Sequence, residues 1–132
     1  SSIEINIEKT NFLANVSKDE KYFLIGSNGK IISTTEQIKE LPFITGNFSS
    51  LDFFNLKLII DKSDFDYSNI KNLTFFPSGR WNIETNSGIL IKLPINNLKE
   101  AFNLSLDLLN DANFESVKII DVRMQNQVVT YE

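Results

Sequence analysis

Short apolar runs on either side of glycine-containing turns constrain the fold of this chain more than any other feature of its sequence. "KYFLIGSNGKIIS" places two such runs around Asn28-Gly29, a pair that readily takes the two positive φ angles of a type I′ turn. "RWNIET" and "ILIKL" flank a second turn, Asn86-Ser87-Gly88. Because turns of this kind join antiparallel neighbours, the sequence predicts a sheet built mainly from hairpins.

Further strand-like segments lie at both ends and in the middle of the chain. "SSIEINIEKT" alternates isoleucine with polar residues, which predicts a half-buried strand over residues 1–9. Residues 70–76 predict another strand, which ends at the turn cluster Pro77-Ser78-Gly79. "ESVKIIDVRM" and "VVTYE" predict a terminal strand pair joined by a turn at Gln125–Gln127.

Two segments have helical patterns. Ser49 or Ser50 is suited to cap a helix over residues 50–62, where apolar positions repeat at helical spacing: Leu51, Phe54 or Asn55, Leu58 and Ile59. Asn96 or Asn97 is suited to cap a second helix, whose predicted apolar face is Leu98, Ala101, Phe102, Leu106 and Leu109, widened by Leu104 and Leu108. Together the elements predict an α+β fold in which a mainly antiparallel, twisted sheet carries both helices on one face.

Composition narrows the classes of function. At 132 residues the chain fits one domain, and a net charge of -4 without a basic stripe argues against a nucleic-acid surface. The absence of Cys excludes disulfides and thiolate metal sites. The sequence has no apolar run of about 18 residues, and it does not contain the charged and apolar regions typical of a signal peptide. Because it begins at Ser without Met, we expect it to be a piece of a longer protein.

Nothing in the sequence predicts catalysis, a metal or a cofactor. Histidine is absent, which removes the commonest general base and the Ser-His and Cys-His pairs. Asp61, Asp64 and Asp66 are the candidate carboxylates for a hydrolase, but "DKSDFD" is more typical of a solvated, turn-forming loop. As a calcium loop this segment lacks both the central glycine and the final glutamate.

The last strand is predicted to be an exposed edge over residues 128–131. An edge strand presents unpaired N–H and C=O groups to other chains, and charged residues usually blunt it. No charged residue occurs between Met124 and Tyr131, which favours a docking strip. Arg80 is a candidate partner for a carboxylate on another protein. Asp121 and Arg123 lie two apart on one predicted strand, where a fold-stabilising contact is the favoured interpretation.

Several blocks of the sequence, taken in order, resemble the C-terminal β domain of the bacterial cell-division family FtsQ/DivIB. The blocks are "INIEKTNFLANV", "YFLIGSNGKII", "LPFITG", "GRWNIETNSGILIKL" and "IIDVRMQNQVV". They cover nearly the whole chain. The sequence departs from the family pattern at Gly26, where Asp is common. It also departs between Ser49 and Asn72, where the family typically has a longer helix and a further helical or loop segment.

The resemblance implies a single FtsQ-type domain over residues 1–132, with residues 1–9 leading out of a POTRA domain. A transmembrane helix and a cytoplasmic tail would precede that domain, and this part would lie on the periplasmic or extracytoplasmic side of the inner membrane. It also implies a non-enzymatic scaffold of the divisome, without cofactors, that takes a strand of FtsB, with FtsL alongside, onto its last strand.

The resemblance further implies which residues bind the partner. Met124 stands where the family often has Tyr, and the turn lacks the family's usual glycine, so Asn126 is the residue best suited to positive φ. The implied site residues are Arg80, Met124, Gln125, Asn126, Gln127, Val128, Val129, Thr130 and Tyr131. Two alternatives remain: a generic envelope interaction module with a different partner, and a cell-wall hydrolase that uses Asp64 and Asp66.

Overall fold

The computed structural model describes residues 11–125 and 127–132, apart from the side chain of Ala112. The strand predicted over residues 1–9 therefore lies outside the described residues. The elements are β1 (Phe12–Lys18), β2 (Lys21–Gly26), β3 (Ile31–Thr34), β4 (Phe43–Thr45), α1 (Ser50–Asp61), β5 (Ile70–Phe75), β6 (Trp81–Thr85), β7 (Leu90–Lys92), α2 (Leu98–Leu109), β8 (Ile119–Asp121) and β9 (Val129–Tyr131).

The described strands form one mixed sheet in the order β3-β2-β1-β4-β5-β6-β7-β8-β9. Hairpins account for the antiparallel pairs, whereas β1 with β4, β4 with β5 and β7 with β8 run parallel. Two of these parallel pairs enclose a helix, because neighbouring parallel strands need a long crossover connection. The α+β class is confirmed, but the sequence did not predict the parallel pairs.

Both helices lie on the same face of the sheet. The units β4–α1–β5 and β7–α2–β8 run in the same direction and step the same way along the sheet, and such crossovers are right-handed. The helices also contact each other, and their buried residues share one core with the sheet. That core includes Phe53, Leu56, Ile60, Phe102, Leu106, Ile44, Leu73, Ile83, Ile91 and Ile120. Neither described helix is long and apolar enough to cross a membrane.

The prediction of a type I′ turn at Asn28-Gly29 is wrong, although the hairpin itself is present. Gly29 has a φ of 84°, but Asn28 is not among the described residues with positive φ. The Gly29 N–H donates to the carbonyl of Gly26, and the Gly26 N–H donates to the carbonyl of Lys30, both at 3.0 Å. This is a type I turn followed by a glycine bulge.

Two positive φ angles occur instead at the turn between β1 and β2. Asp19 and Glu20 have φ values of 53° and 64°. This two-residue turn joins Lys18 to Lys21. Because neither central residue is glycine or asparagine, the sequence did not mark this hairpin.

The two helices begin at the predicted places but present different faces. In α1 the predicted apolar positions Leu51 and Leu58 are 70% and 54% exposed, while Phe53, Leu56 and Ile60 are buried. In α2 Phe102 and Leu106 are buried as predicted, but Leu104 is 42% exposed. The error has one cause: both helices carry leucines on more than one side, so apolar spacing alone does not identify the buried side.

Candidate partner-binding site

β9 is the last strand in the order of the described sheet and is one residue shorter than predicted. The Val122 N–H donates to the carbonyl of Lys92 at 3.0 Å in the β7–β8 pairing. Because backbone groups alternate in direction along a strand, the preceding residue, Asp121, directs its N–H and C=O toward β9. Asp121 lies opposite Val129, so Val129 pairs inward with β8. The next residue, Thr130, therefore directs its N–H and C=O away from the sheet.

An open groove of about 920 Å³ lies beside this edge, between the start of α2 and the segment that connects β8 to β9. Five of the predicted site residues line it: Arg80, Met124, Gln125, Gln127 and Val128. The structure thus brings Arg80, which precedes β6, to the same cavity as residues more than forty positions later in the chain. Val129, Thr130 and Tyr131 continue from this cavity as the edge strand.

The segment between β8 and β9 makes a turn where one was predicted. The Gln127 N–H donates to the carbonyl of Met124 at 3.2 Å, which closes the chain over the predicted Gln125–Gln127 turn. Asn126 lies outside the described residues, so its positive φ stays a prediction.

Sequence reasoning missed the residues that α2 contributes to the groove. Asn97, Ala101 and Leu104 line it at spacings of four and three, one stripe of the helix. Leu104 was expected in the core, and its exposure reflects this second stripe. Ile95, in the loop before α2, also lines the groove and is exposed. An apolar stripe beside the buried face was the available signal for these residues.

Both arginines of the chain line the groove. Arg123 is held by Asp121, which accepts hydrogen bonds from its Nε at 2.9 Å and from its Nη2 at 2.7 Å. Asp121 also accepts from the backbone N–H of Arg123 at 3.1 Å. The side-chain bond to Arg123 lowers the pKa of the Asp121 carboxyl, although burial opposes the shift. The contact predicted between these two residues is confirmed, and it fixes one of the two cations beside the groove.

Two of the three aspartates considered for hydrolysis, Asp61 and Asp66, have local partners. Asp61 pairs with Lys57 at 2.7 Å one turn earlier on α1. Asp66 accepts from the backbone and hydroxyl of Ser68, and the backbone bond is the main cause of its lowered pKa. No group of three metal-ligating side chains occurs among the residues that the structure describes. Asp61 and Asp66 therefore take part in the local structure of α1 and of the loop that follows it.

Comparisons with known proteins agree with this architecture. The family model for the C-terminal part of the cell-division protein FtsQ/DivIB matches residues 14–123. No curated protein matches the chain significantly. Among solved structures, the major extracytoplasmic domain of the trans isomer of the bacterial cell-division protein DivIB from Geobacillus stearothermophilus superimposes with a TM-score of 0.52.

That alignment has 13% sequence identity and covers 70% of this chain and 85% of the DivIB chain, so it supports the fold alone. The family match covers most of the chain and ends at Arg123, just before the predicted docking segment. It confirms the resemblance that the sequence blocks indicated. This chain belongs to the FtsQ/DivIB family of bacterial cell-division proteins.

Proposed function

We propose that this domain is a non-enzymatic scaffold of the divisome on the extracytoplasmic side of the inner membrane, where it links early and late division proteins during septum formation. It binds FtsB, and FtsL with it, by accepting a strand of FtsB onto β9. In the full-length protein, a cytoplasmic tail, a transmembrane helix and a POTRA domain precede residue 1. Support comes from the family match and from the extracytoplasmic location of the DivIB relative.

The observation that carries this proposal is the backbone direction of Thr130 at the last strand of the described sheet. Strand addition derives its affinity from main-chain hydrogen bonds and its specificity from pockets for alternate side chains. Thr130 offers both a donor and an acceptor to an incoming strand. The residues from Met124 to Tyr131 carry no charge that would repel such a strand.

The groove extends the same site beyond the strand. Val128 lines the groove and immediately precedes β9, so a partner segment that pairs with β9 continues into this cavity. Met124, Leu104 and Ile95 present exposed apolar surface there. Arg80 supplies a positive charge that suits a carboxylate of the partner, whereas Arg123 is paired with Asp121 and Glu100 also lines the groove.

A proline at Thr130 tests the strand addition. Thr130→Pro removes an outward N–H and leaves the inward pairing of Val129 in place, so we expect binding of the periplasmic FtsB segment to weaken about tenfold or more. Thr130→Ala is the matched control, because it removes the same side chain but keeps the N–H. Isothermal titration of both variants, with thermal unfolding as a check of the fold, measures the difference. Equal affinity for the two variants would contradict strand addition at this edge.

Hydrogen exchange separates the FtsB proposal from the alternative of a generic envelope module. We expect the FtsB segment to give new amide protection in residues 128–131 and around Arg80. An FtsB segment that leaves the exchange of wild-type protein unchanged, while a different purified envelope protein protects the same residues, would replace FtsB by that partner.

A further inference from the structure

β3 is the strand at the opposite edge of the described sheet. The hydrogen bonds of its hairpin show which of its N–H and C=O groups point toward β2 and which point away from the sheet. The Gly26 N–H donates to the carbonyl of Lys30 at 3.0 Å, which makes these two residues a hydrogen-bonded pair of the hairpin. Alternation along the strand then turns Ile32 inward toward β2. Ile31 and Ser33 consequently direct their N–H and C=O groups away from the sheet.

The side chains of β3 leave apolar surface uncovered on both faces. Ile31 and Ile32 are 42% and 44% exposed, and they point to opposite faces because they are consecutive strand residues. Tyr22 of β2 is also exposed, on the same face as Ile32. Residues 31–35 contain no charge, so this edge lacks the lysines that usually prevent pairing with another strand.

Charges occur only at the two ends of this uncharged stretch, and they have opposite signs. Lys30 precedes β3 and Glu36 follows it, each three residues from Ser33. Glu36 lies in a bend just after β3, where its N–H donates to the hydroxyl of Thr34 at 3.2 Å and its carbonyl accepts from that hydroxyl at 2.9 Å. A second β3 aligned antiparallel places Lys30 of one copy and Glu36 of the other at the same end of the pair, whereas a parallel one places like charges together.

We propose that β3 is a homotypic interface at which a second copy of this chain adds antiparallel, about a two-fold axis at Ser33. The outward groups of the two Ser33 residues pair with each other, those of Ile31 face Thr35 of the other copy just after β3, and the two sheets become continuous. The charge pattern favours a second copy because it complements itself in this orientation only. A four-residue strand buries little area, so the dimer is weak and reversible. FtsB uses β9 in the proposed function, so both contacts fit on one chain.

Sedimentation equilibrium of the complete chain over a concentration series tests the dimer. Ser33→Pro removes an outward N–H from each copy while Ile32 keeps its inward pairing, so we expect dimerisation to weaken about tenfold or more. Ser33→Ala is the matched control and should dimerise like wild type, and thermal unfolding verifies that both variants fold. A wild-type chain that stays monomeric at about 1 mM, or a dimer that Ser33→Pro leaves unchanged, would overturn the proposal.

A charge-reversal cycle tests the orientation independently. Lys30→Glu and Glu36→Lys each place like charges at both ends of the antiparallel pair, so each should weaken the dimer about fivefold to tenfold at low salt. The double variant restores opposite charges and should recover the wild-type dissociation constant. In a parallel pair, residue 30 faces its own copy, and the single variants would change nothing. Absence of recovery in the double variant counts against the two-fold arrangement.

Discussion

The two edges of the sheet have the same backbone chemistry but different surroundings. At β9, Thr130 faces outward beside a groove of about 920 Å³ that both arginines line. At β3, Ile31 and Ser33 face outward, and the adjoining turn is closed by α1, where the Ser50 hydroxyl donates to the carbonyl of Gly29 at 2.7 Å. An edge beside a groove is suited to a different protein, because the groove can accept that protein's side chains. An edge flanked by self-complementary charges is suited to a second copy of the same chain.

The starts of the two helices account for much of this difference. Ser49 and Asp52 form a capping box at the start of α1. The Asp52 N–H donates to the Ser49 hydroxyl at 3.1 Å, and the Ser49 N–H donates to the Asp52 carboxylate at 2.9 Å. Asn97 precedes α2 with a φ of 57° and makes no side-chain capping bond. Asn96 and Asn97 line the groove, so the start of α2 forms part of its wall. The start of α1 is instead packed against the β2–β3 turn.

Among the changes considered, a substitution of Gly46 should destabilise the protein most. Gly46 lies in the segment that leads from β4 to the start of α1. Its φ is 107°, and a Cβ would lie 2.0 Å from the carbonyl oxygen of Phe75. We expect Gly46→Ala to lower the free energy of unfolding by about 3–5 kcal/mol. Chemical denaturation measures this loss, with the exposed turn glycine in Gly88→Ala as a control that has positive φ but no such contact. Equal losses in both variants would show that φ alone, and not the close approach, matters.

Prolines at inward and outward positions of each edge should give the next largest effects. Val129→Pro and Ile32→Pro remove inward ladder donors, and we expect each to cost about 1–3 kcal/mol of stability. Thr130→Pro and Ser33→Pro remove outward donors and should cost less than about 1 kcal/mol. Thermal unfolding of the four variants provides the comparison. An outward variant that is as unstable as its inward neighbour would contradict the backbone directions assigned to that edge.

The sequence predicted the hairpins β2–β3 and β6–β7 and the positions of both helices because turn chemistry and capping residues act locally. It did not predict the β1–β4 and β4–β5 pairs, since strand neighbours that are distant in sequence leave no local pattern. The buried sides of the helices also depended on the sheet beneath them: Leu51 and Phe53 are equally apolar, and only the crossover geometry decides which is buried.

The candidate site was predicted only in part, for the same reason. The edge strand was predicted from the uncharged end of the chain and from the resemblance. Arg80 was predicted as a possible partner for a carboxylate and from the resemblance. The contribution of Ala101 and Leu104 depends on how α2 lies against the β8–β9 segment, which is a tertiary property. The sequence predicted only one of the two edges. The uncharged end of the chain indicated the β9 edge, whereas the position of β3 at an edge follows only from the strand order of the structure.

The Asp121–Arg123 pair next to the β9 edge should make the stability of the folded chain sensitive to acid. The pKa of Asp121 is lowered from its ordinary 3.8, so its stabilisation is complete above that value and is lost as pH falls through the lower folded pKa. Arg123 is 37% exposed, and we therefore expect Asp121→Asn to cost only about 1–2 kcal/mol at pH 7.

Denaturant unfolding at several pH values measures this effect. The gap between wild type and Asp121→Asn should narrow as the pH falls below 3.8. A gap that is constant over that range would mean that shape, rather than charge, accounts for the loss. The dissociation constant of the β3 dimer should be the same in Asp121→Asn and wild type at pH 7, because the pair lies at the other edge.

The smallest expected effect separates the two helix starts. Ser49→Ala removes the hydroxyl that accepts from the Asp52 N–H, which should cost about 1 kcal/mol of stability. Asn97→Gly loses no capping bond and suits the positive φ, so stability should change by less than about 0.5 kcal/mol. Thermal unfolding compares the two variants. If Asn97→Gly instead destabilised the protein as much as Ser49→Ala, the start of α2 would depend on the Asn97 side chain, and the contrast between the two helix starts would be wrong.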